Sequence, residues 1–63
     1  MNKIKKIRKE KKLTVRELAE KSEIAPSYIS QLENDIGNNI NPTKRYMEKI
    51  AMALQKTVPE VFY

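Results

Sequence analysis

The stretch TVRELAEKSEIAPSYISQLEN, residues 14–34, contains the start signals of two consecutive helices. Thr14 and Glu17 have the spacing of a capping box, in which each side chain bonds the backbone N–H of the other. Leu13 and Leu18 stand at the two positions of a hydrophobic staple. Together they predict a helix that starts after Thr14 and covers about Val15–Ser22.

A second helix is predicted to open at Pro26, since proline is tolerated in the first turn of a helix. Ile24 and Ile29 again have the staple spacing, but the cap position falls on Ala25, whose side chain accepts no hydrogen bond. Ile29 and Leu32 are expected to face inward. The opposite stripe is uncharged and able to form hydrogen bonds, and its spacing places it on one face of the helix: Ser27, Ser30, Gln31 and Asn34.

The rest of the chain also reads as helices. A first helix is predicted from Asn2 to Lys12, with Ile4 and Ile7 inward. A fourth runs to about Leu54, and both Asn41 and Thr43 are plausible caps for its start. Thr57 and Glu60 form a second capping box, which opens a short fifth helix. No stretch alternates as a strand would, so the predicted fold is all-α, with five short helices around one core.

Size and composition exclude several functions. A chain of 63 residues without cysteine or histidine has neither a thiolate nor an imidazole for catalysis or zinc binding. No nucleophile or base stands beside Glu17, Glu20 and Glu23. We interpret these carboxylates as helix caps or as part of a solvated helix face. We therefore expect one domain over residues 1–63, no enzyme activity, no catalytic residue, no metal, no cofactor and no small-molecule ligand. No apolar run approaches the roughly 18 residues of a membrane span, and no apolar stretch of the kind found in signal peptides follows the basic start, so we expect the chain in the cytoplasm.

The positive charge is concentrated at the beginning of the chain. The net charge is +5, yet residues 1–12 alone contain seven basic residues against one acidic residue, Glu10. Two interpretations are open: a surface that binds a polyanion, or a solvated face of a helix. Lysines in the first turn oppose the helix dipole, so folding does not require them there, whereas an anionic partner would.

Residues 14–34 resemble the helix-turn-helix of the Cro/CI type, also called the XRE family. Ala19 stands at the close-packing position between the two helices, and Leu18, Ile29 and Leu32 stand at core positions. IRKEKKLT before this stretch and NPTKRYMEKIAMALQKTVPEVF after it resemble the first, fourth and fifth helices of that family. The resemblance implies a compact five-helix, lambda-repressor-like domain. Such a domain binds double-stranded DNA sequence-specifically and acts as a transcriptional regulator, here expected to be a repressor.

The resemblance also implies roles for individual residues. The helix near 26–34 would enter the major groove, with base contacts from Pro26, Ser27, Tyr28, Ser30 and Gln31. Phosphate contacts would come from Thr14, Val15, Arg16, Asn34, Asn38, Asn39, Lys44 and Arg45. For Asn38 and Asn39 the alternative is that they only satisfy turns. Arg8 and Glu33 match a pair that forms an internal salt bridge in several family members, so Arg8 is expected to be structural.

This sequence departs from the family pattern at several positions. Glu23 occupies a turn position where the family favours glycine, and a positive φ there would cost about 1 kcal/mol. Pro26 offers only apolar contact where a base-contacting side chain is common. Gln55 stands where glycine often ends the fourth helix. The loop between the third and fourth helices is longer than usual.

Relatives of this type bind as two-fold dimers on half-sites about 34 Å apart. A homodimer surface is expected from apolar residues that the core does not need: Ile36, Ile40, Phe62 and Tyr63. The main alternative is an antitoxin-like or anti-repressor module that binds protein, for which binding would depend only weakly on salt. Non-specific compaction of nucleic acid would not depend on Gln31. Binding to a membrane is the weakest reading, because Ile4 and Ile7 are too few to insert.

Overall fold

The structure is a computed structural model that describes residues 2–35 and 40–63. Within these ranges all regular secondary structure is helical, which confirms the all-α prediction. The five helices are α1 (Ile4–Glu10), α2 (Val15–Ser22), α3 (Pro26–Glu33), α4 (Lys44–Ala53) and α5 (Val58–Phe62).

Threonine side chains mark the start of three helices. Thr14 Oγ1 accepts the Glu17 N–H at 3.0 Å, and Glu17 Oε1 accepts the Thr14 N–H at 2.8 Å, so the predicted capping box of α2 is complete. The capping box of α5 is complete in the same way. At α4 the cap is Thr43 rather than Asn41, since Thr43 Oγ1 accepts the Tyr46 N–H at 3.2 Å.

The first helix is shorter than the predicted range of Asn2 to Lys12. It begins only at Ile4, whose N–H donates to Asn2 Oδ1 at 3.1 Å. It ends at Glu10, and the chain then turns through Lys12, which has a left-handed φ of 59°. Lysine seldom adopts this conformation, so the early end of α1 could not be predicted from the residue type at position 12. Glu23 and Gln55 also have φ near 59°, at the positions where the family pattern favours glycine.

The core lies where the inner faces of all five helices meet. Helix α2 packs on α3 and α4, α1 packs on α3 and α5, and α5 also packs on α4. The largest fully buried side chains come from every helix or its cap: Ile4, Leu18, Ile29, Leu32, Ile50, Leu54 and Val61. Burial of each contributes about 1.5–3 kcal/mol. Because α3 is held from inside by two neighbouring helices, its outer face stays at the surface.

Candidate nucleic-acid interface

Helix α3 has one buried and one exposed side. Ile29 and Leu32 are 0% and 1% exposed, so they fix the helix against the core. On the opposite side Ser27 and Gln31 are exposed, as are Pro26 at its first position and Asn34 at its end; Ser30 and Tyr28 are half-buried at the two flanks. The structure therefore brings the predicted base-contact residues onto one helix, with Ser27 and Gln31 the most accessible of its hydrogen-bonding side chains.

The joint between α2 and α3 is tight. Glu23 adopts φ 59° and ψ 36°, and the Ile24 N–H returns to the Ala19 carbonyl oxygen at 3.1 Å. Ala19 is 4% exposed, so the two helices approach closely at this small side chain. Ser22, which the sequence did not single out, is buried and donates its hydroxyl to the Leu18 carbonyl oxygen at 2.7 Å. A short turn with these bonds fixes the direction in which α3 leaves α2.

Arg8 and Glu33 form a two-point ion pair between α1 and α3. Arg8 Nε lies 2.7 Å from Glu33 Oε2, and Nη2 lies 3.1 Å from Oε1. Arg8 Nη1 also donates to the Leu13 carbonyl oxygen at 2.7 Å. The hydrogen bond with Glu33 raises the pKa of Arg8 above its usual value. With side chains only 11% and 4% exposed, the pair anchors the end of α3 and directs Arg8 into the protein.

At the start of α2, the capping box does not bond the backbone N–H groups of Val15 and Arg16. Thr14 and Arg16 are exposed there and Val15 is half-buried. The N-terminal end of a helix attracts anions through its N–H groups and its dipole. The Glu17 carboxylate already accepts the Thr14 N–H, and its negative charge reduces that attraction. A phosphate at this end would therefore be held mainly by the N–H groups of Val15 and Arg16 and by the Arg16 side chain.

The remaining predicted phosphate contacts come from three parts of the chain. Lys44 and Arg45 are exposed in the first turn of α4. Asn34 is exposed at the end of α3, where its Nδ2 donates to the Ser30 carbonyl oxygen at 2.9 Å. This bond uses one Nδ2 hydrogen, so the second Nδ2 hydrogen remains available to donate to a phosphate. Asn38 and Asn39 lie outside the described residues.

The lysines of the first segment cover the outside of α1. Ile4 and Ile7 face the core, and the exposed lysines are Lys3, Lys5, Lys6, Lys9, Lys11 and Lys12. Among residues 2–35 and 40–63 the ion pair of Arg8 and Glu33 is the only salt bridge within 4.0 Å. The basic surface therefore consists of separate, solvated charges.

No helix in the described ranges has the length and hydrophobicity of a membrane span. The same ranges contain no group of three or more carboxylates placed to hold a metal ion.

Two of the apolar residues assigned to a dimer surface belong partly to the core. Ile40 and Phe62 are half-buried and pack against it, so the expectation that the core does not need them was wrong. The Ile40 N–H donates to Asp35 Oδ2 at 2.6 Å, which holds residue 40 near the end of α3, and Phe62 lies in α5 next to the fully buried Val61. Tyr63 is 78% exposed. Ile36 lies outside the part of the chain that is described.

Two contacts near α3 were not predicted from the sequence, because they join positions that are distant along the chain. Asn2 Nδ2 donates to the Leu32 carbonyl oxygen at 2.9 Å, which ties the start of α1 to the end of α3. The rings of Tyr28 and Tyr46 meet edge to face, with centroids 5.4 Å apart and an interplanar angle of 69°. No local pattern pointed to either contact.

Two short helices joined by a tight turn, the second with a polar outer face, define a helix-turn-helix protein. The family model described as Helix-turn-helix matches residues 4–61, and the chain belongs to this family. Its sequence is 40% identical over 55 residues to the HTH-type transcriptional regulator SinR of Bacillus subtilis (strain 168) and equally to that of Bacillus licheniformis. The match covers 87% of this chain and 48% of each SinR, so the chain spans about half the length of these relatives.

Solved structures of SinR have the same fold. The crystal structure of SinR, the master regulator for biofilm formation, in complex with DNA is similar with a TM-score of 0.81 at 38% identity, over 90% of this chain and 87% of that one. The N-terminal DNA-binding domain of SinR from Bacillus subtilis gives 0.80 at 38% identity, over 90% and 80%. The SinR/SinI protein complex gives 0.79 at 39% identity, over 89% of this chain and 52% of that one.

Proposed function

We propose that this chain binds double-stranded DNA and regulates transcription as a repressor, with α3 lying in the major groove. The observation that carries the proposal is the outer face of α3, where Ser27 and Gln31 are exposed directly opposite the buried Ile29 and Leu32. A rigidly seated helix with short hydrogen-bonding side chains suits the reading of base edges. The likeness to SinR bound to DNA supports the proposal.

In this proposal, selectivity comes from the base contacts of α3. The amide of Gln31 can donate to and accept from adenine at the same time, and the Ser27 hydroxyl can serve either role. Tyr28 and Pro26 add apolar contact, which suits a thymine methyl group. Ser30 is half-buried on the flank beside α1, so its contact is the most peripheral of the set.

Affinity in this proposal comes from phosphate contacts around α3. Thr14, Val15 and Arg16 approach from the start of α2, and Lys44 and Arg45 from the start of α4. Asn34 would contribute through the second hydrogen of its Nδ2, while the first stays bonded to the Ser30 carbonyl oxygen. The phosphate contacts of Asn38 and Asn39 stay predictions. Each phosphate contact displaces counterions, so the binding constant should fall steeply as salt rises.

We further propose a homodimer on a two-fold operator. A groove of about 280 Å³ opens beside Tyr63 and is lined by residues of the chain ends, α3, α4 and the segment that precedes α4: Asn2, Leu32, Ile40, Asn41, Pro42, Met47, Phe62 and Tyr63. Exposed Tyr63 and half-buried Phe62 and Ile40 give this region its apolar character. The proposal has three further parts. The protein binds DNA and does not catalyse a reaction, residues 1–63 form one domain, and the protein is located in the cytoplasm with the DNA.

The proposal is tested by selecting binding sites from random duplex DNA and then measuring affinity by fluorescence anisotropy at two salt concentrations. We expect an enriched motif, and a loss of about 1–3 kcal/mol in binding when Gln31→Ala removes a bidentate base contact. Met52→Ala is the matched control, because it truncates a side chain that is 78% exposed at the far end of α4. A palindromic motif would support the dimer, and isolated half-sites would count against it.

Three results would contradict the proposal. Salt-sensitive binding with no enriched motif and no effect of Gln31→Ala would mean that the outer face of α3 is only solvated, and that the lysines of α1 bind DNA non-specifically. Equal losses for Gln31→Ala and Met52→Ala would exclude a base contact from Gln31. Absence of DNA binding, with a protein partner bound at a weak salt dependence, would favour the protein-interaction alternative.

A further inference from the structure

The exposure of Tyr46 and its ring contact with Tyr28 are not explained by packing in the core. It lies at the third position of α4 and is 39% exposed, whereas its neighbour in space, Tyr28, is half-buried and packs against the core. Their rings meet edge to face at 5.4 Å and 69°, a geometry in which the edge of one ring points to the face of the other. Within the described residues neither hydroxyl forms a hydrogen bond, so the contact between the two side chains is made by the rings.

The ring pair joins two helices that both pack on α2 but are not main packing partners of each other. The main packing partners of α3 are α1 and α2, and those of α4 are α2 and α5. Along the chain, α3 and α4 are separated by residues 34–43, of which the structure describes 34–35 and 40–43. Tyr28 and Tyr46 therefore provide a direct side-chain connection from α3 to the first turn of α4.

Each tyrosine is fixed on its own helix next to a proposed DNA contact. Tyr28 directly follows Ser27 on α3, and its helix is seated by buried Ile29. Tyr46 directly follows Arg45, and its N–H is held by Thr43 Oγ1 at 3.2 Å. The ring contact thus connects a helix that reads bases with a helix end that carries phosphate-binding side chains.

We infer that Tyr46 is a positioning residue for DNA recognition: its ring, set against Tyr28, fixes the first turn of α4 relative to α3. Lys44 and Arg45 then meet the phosphates in the register in which Ser27 and Gln31 meet the bases. Phosphate contacts set the orientation of a protein on the duplex, so the spacing between these two groups affects selectivity as well as affinity. The inference rests on the proposed function.

The inference predicts that Tyr46 acts through its ring and through Arg45. Tyr46→Ala should weaken binding to the enriched duplex by about five- to tenfold, with a smaller loss on an unrelated duplex at the same salt concentration. Tyr46→Phe keeps the ring and should stay within about twofold of the native chain. Arg45→Gln should cost less in the Tyr46→Ala background than in the native background, because residues that act together are not additive.

A merely structural role would give a different result. Equal losses on both duplexes, with additive effects of Tyr46→Ala and Arg45→Gln, would overturn the inference, as would a Tyr46→Phe variant as weak as Tyr46→Ala. Circular dichroism establishes that each variant is folded at the temperature of measurement. If Tyr46→Ala does not fold, Tyr46→Leu fills similar space without an aromatic edge and is judged by the same criteria. Failure of the native chain to enrich any motif would instead refute the proposed function.

Discussion

Helices α2 and α3 are both eight residues long, but they are stabilised by different means. At the start of α2, Thr14 and Glu17 complete a capping box. At the start of α3, Ala25 makes no side-chain cap, and the first turn contains no acidic residue. The surface of α2 carries the charged side chains of Arg16, Glu17, Glu20 and Lys21, whereas the outer face of α3 is uncharged.

Helix α2 is therefore stabilised by contacts within its own sequence, whereas α3 depends on its neighbours. Ile29 and Leu32 anchor α3 in the core, Glu33 is paired with Arg8, and the Leu32 carbonyl oxygen is bonded by Asn2. Because tertiary contacts on the inner side hold α3, its outer side chains need not contribute to folding. That surface is consequently available for hydrogen bonds to a partner.

The largest effect is expected from the ion pair that anchors α3. Glu33→Ala or Arg8→Ala leaves its partner buried and unpaired, and we expect a loss of about 3 kcal/mol in the free energy of unfolding. Urea denaturation followed by circular dichroism measures it. Glu20→Ala, which removes an exposed carboxylate from α2, is the control and should change stability by less than about 0.5 kcal/mol. Equal effects of the two glutamate variants would mean that α3 does not depend on this contact.

The helix caps provide a smaller and more direct test. Thr14→Ala removes the cap of α2 and should destabilise the protein by about 1 kcal/mol. Ala25→Ser supplies a cap that α3 lacks and should stabilise it by up to about 1 kcal/mol. Ala25 has φ −58° and ψ 136°, so its backbone is already extended as a cap requires. Thermal unfolding of both variants measures the changes, and a destabilising Ala25→Ser would contradict the account of α3 as uncapped.

The smallest effect concerns the capping box of α5, a helix of only five residues. Hydrogen bonds from the Thr57 N–H and hydroxyl lower the pKa of Glu60 below its ordinary value of 4.5. Because the folded-state pKa is depressed, the stabilisation is present above pH 4.5 and is lost as the pH falls through the lowered pKa.

Glu60→Gln should therefore reduce the dependence of the melting temperature on pH between about pH 3 and 5. Glu48→Gln, on the exposed side of α4, is the matched control. An unchanged pH dependence in Glu60→Gln would show that this carboxylate does not stabilise the start of α5.

Local signals in the sequence were sufficient for much of the fold. The capping boxes of α2 and α5 each lie within four consecutive residues, so spacing alone located both helix starts. The family pattern singled out Glu23 as a turn position that favours glycine, and Glu23 has a left-handed φ of 59°. Long-range contacts were beyond such reasoning: the Tyr28–Tyr46 pair joins positions 18 residues apart in the sequence. Burial of Ile40 and Phe62 likewise depends on how the chain returns to the core, which no local pattern contains.

The most direct test of the central claim is an NMR titration of the 63-residue chain with the duplex enriched from random DNA. If the outer face of α3 reads the bases, the largest amide shift changes should fall on residues 26–34, followed by the first turns of α2 and α4. The amides of α5 should change least unless a dimer forms. Changes confined to the lysines of α1, with residues 26–34 unaffected, would contradict the account.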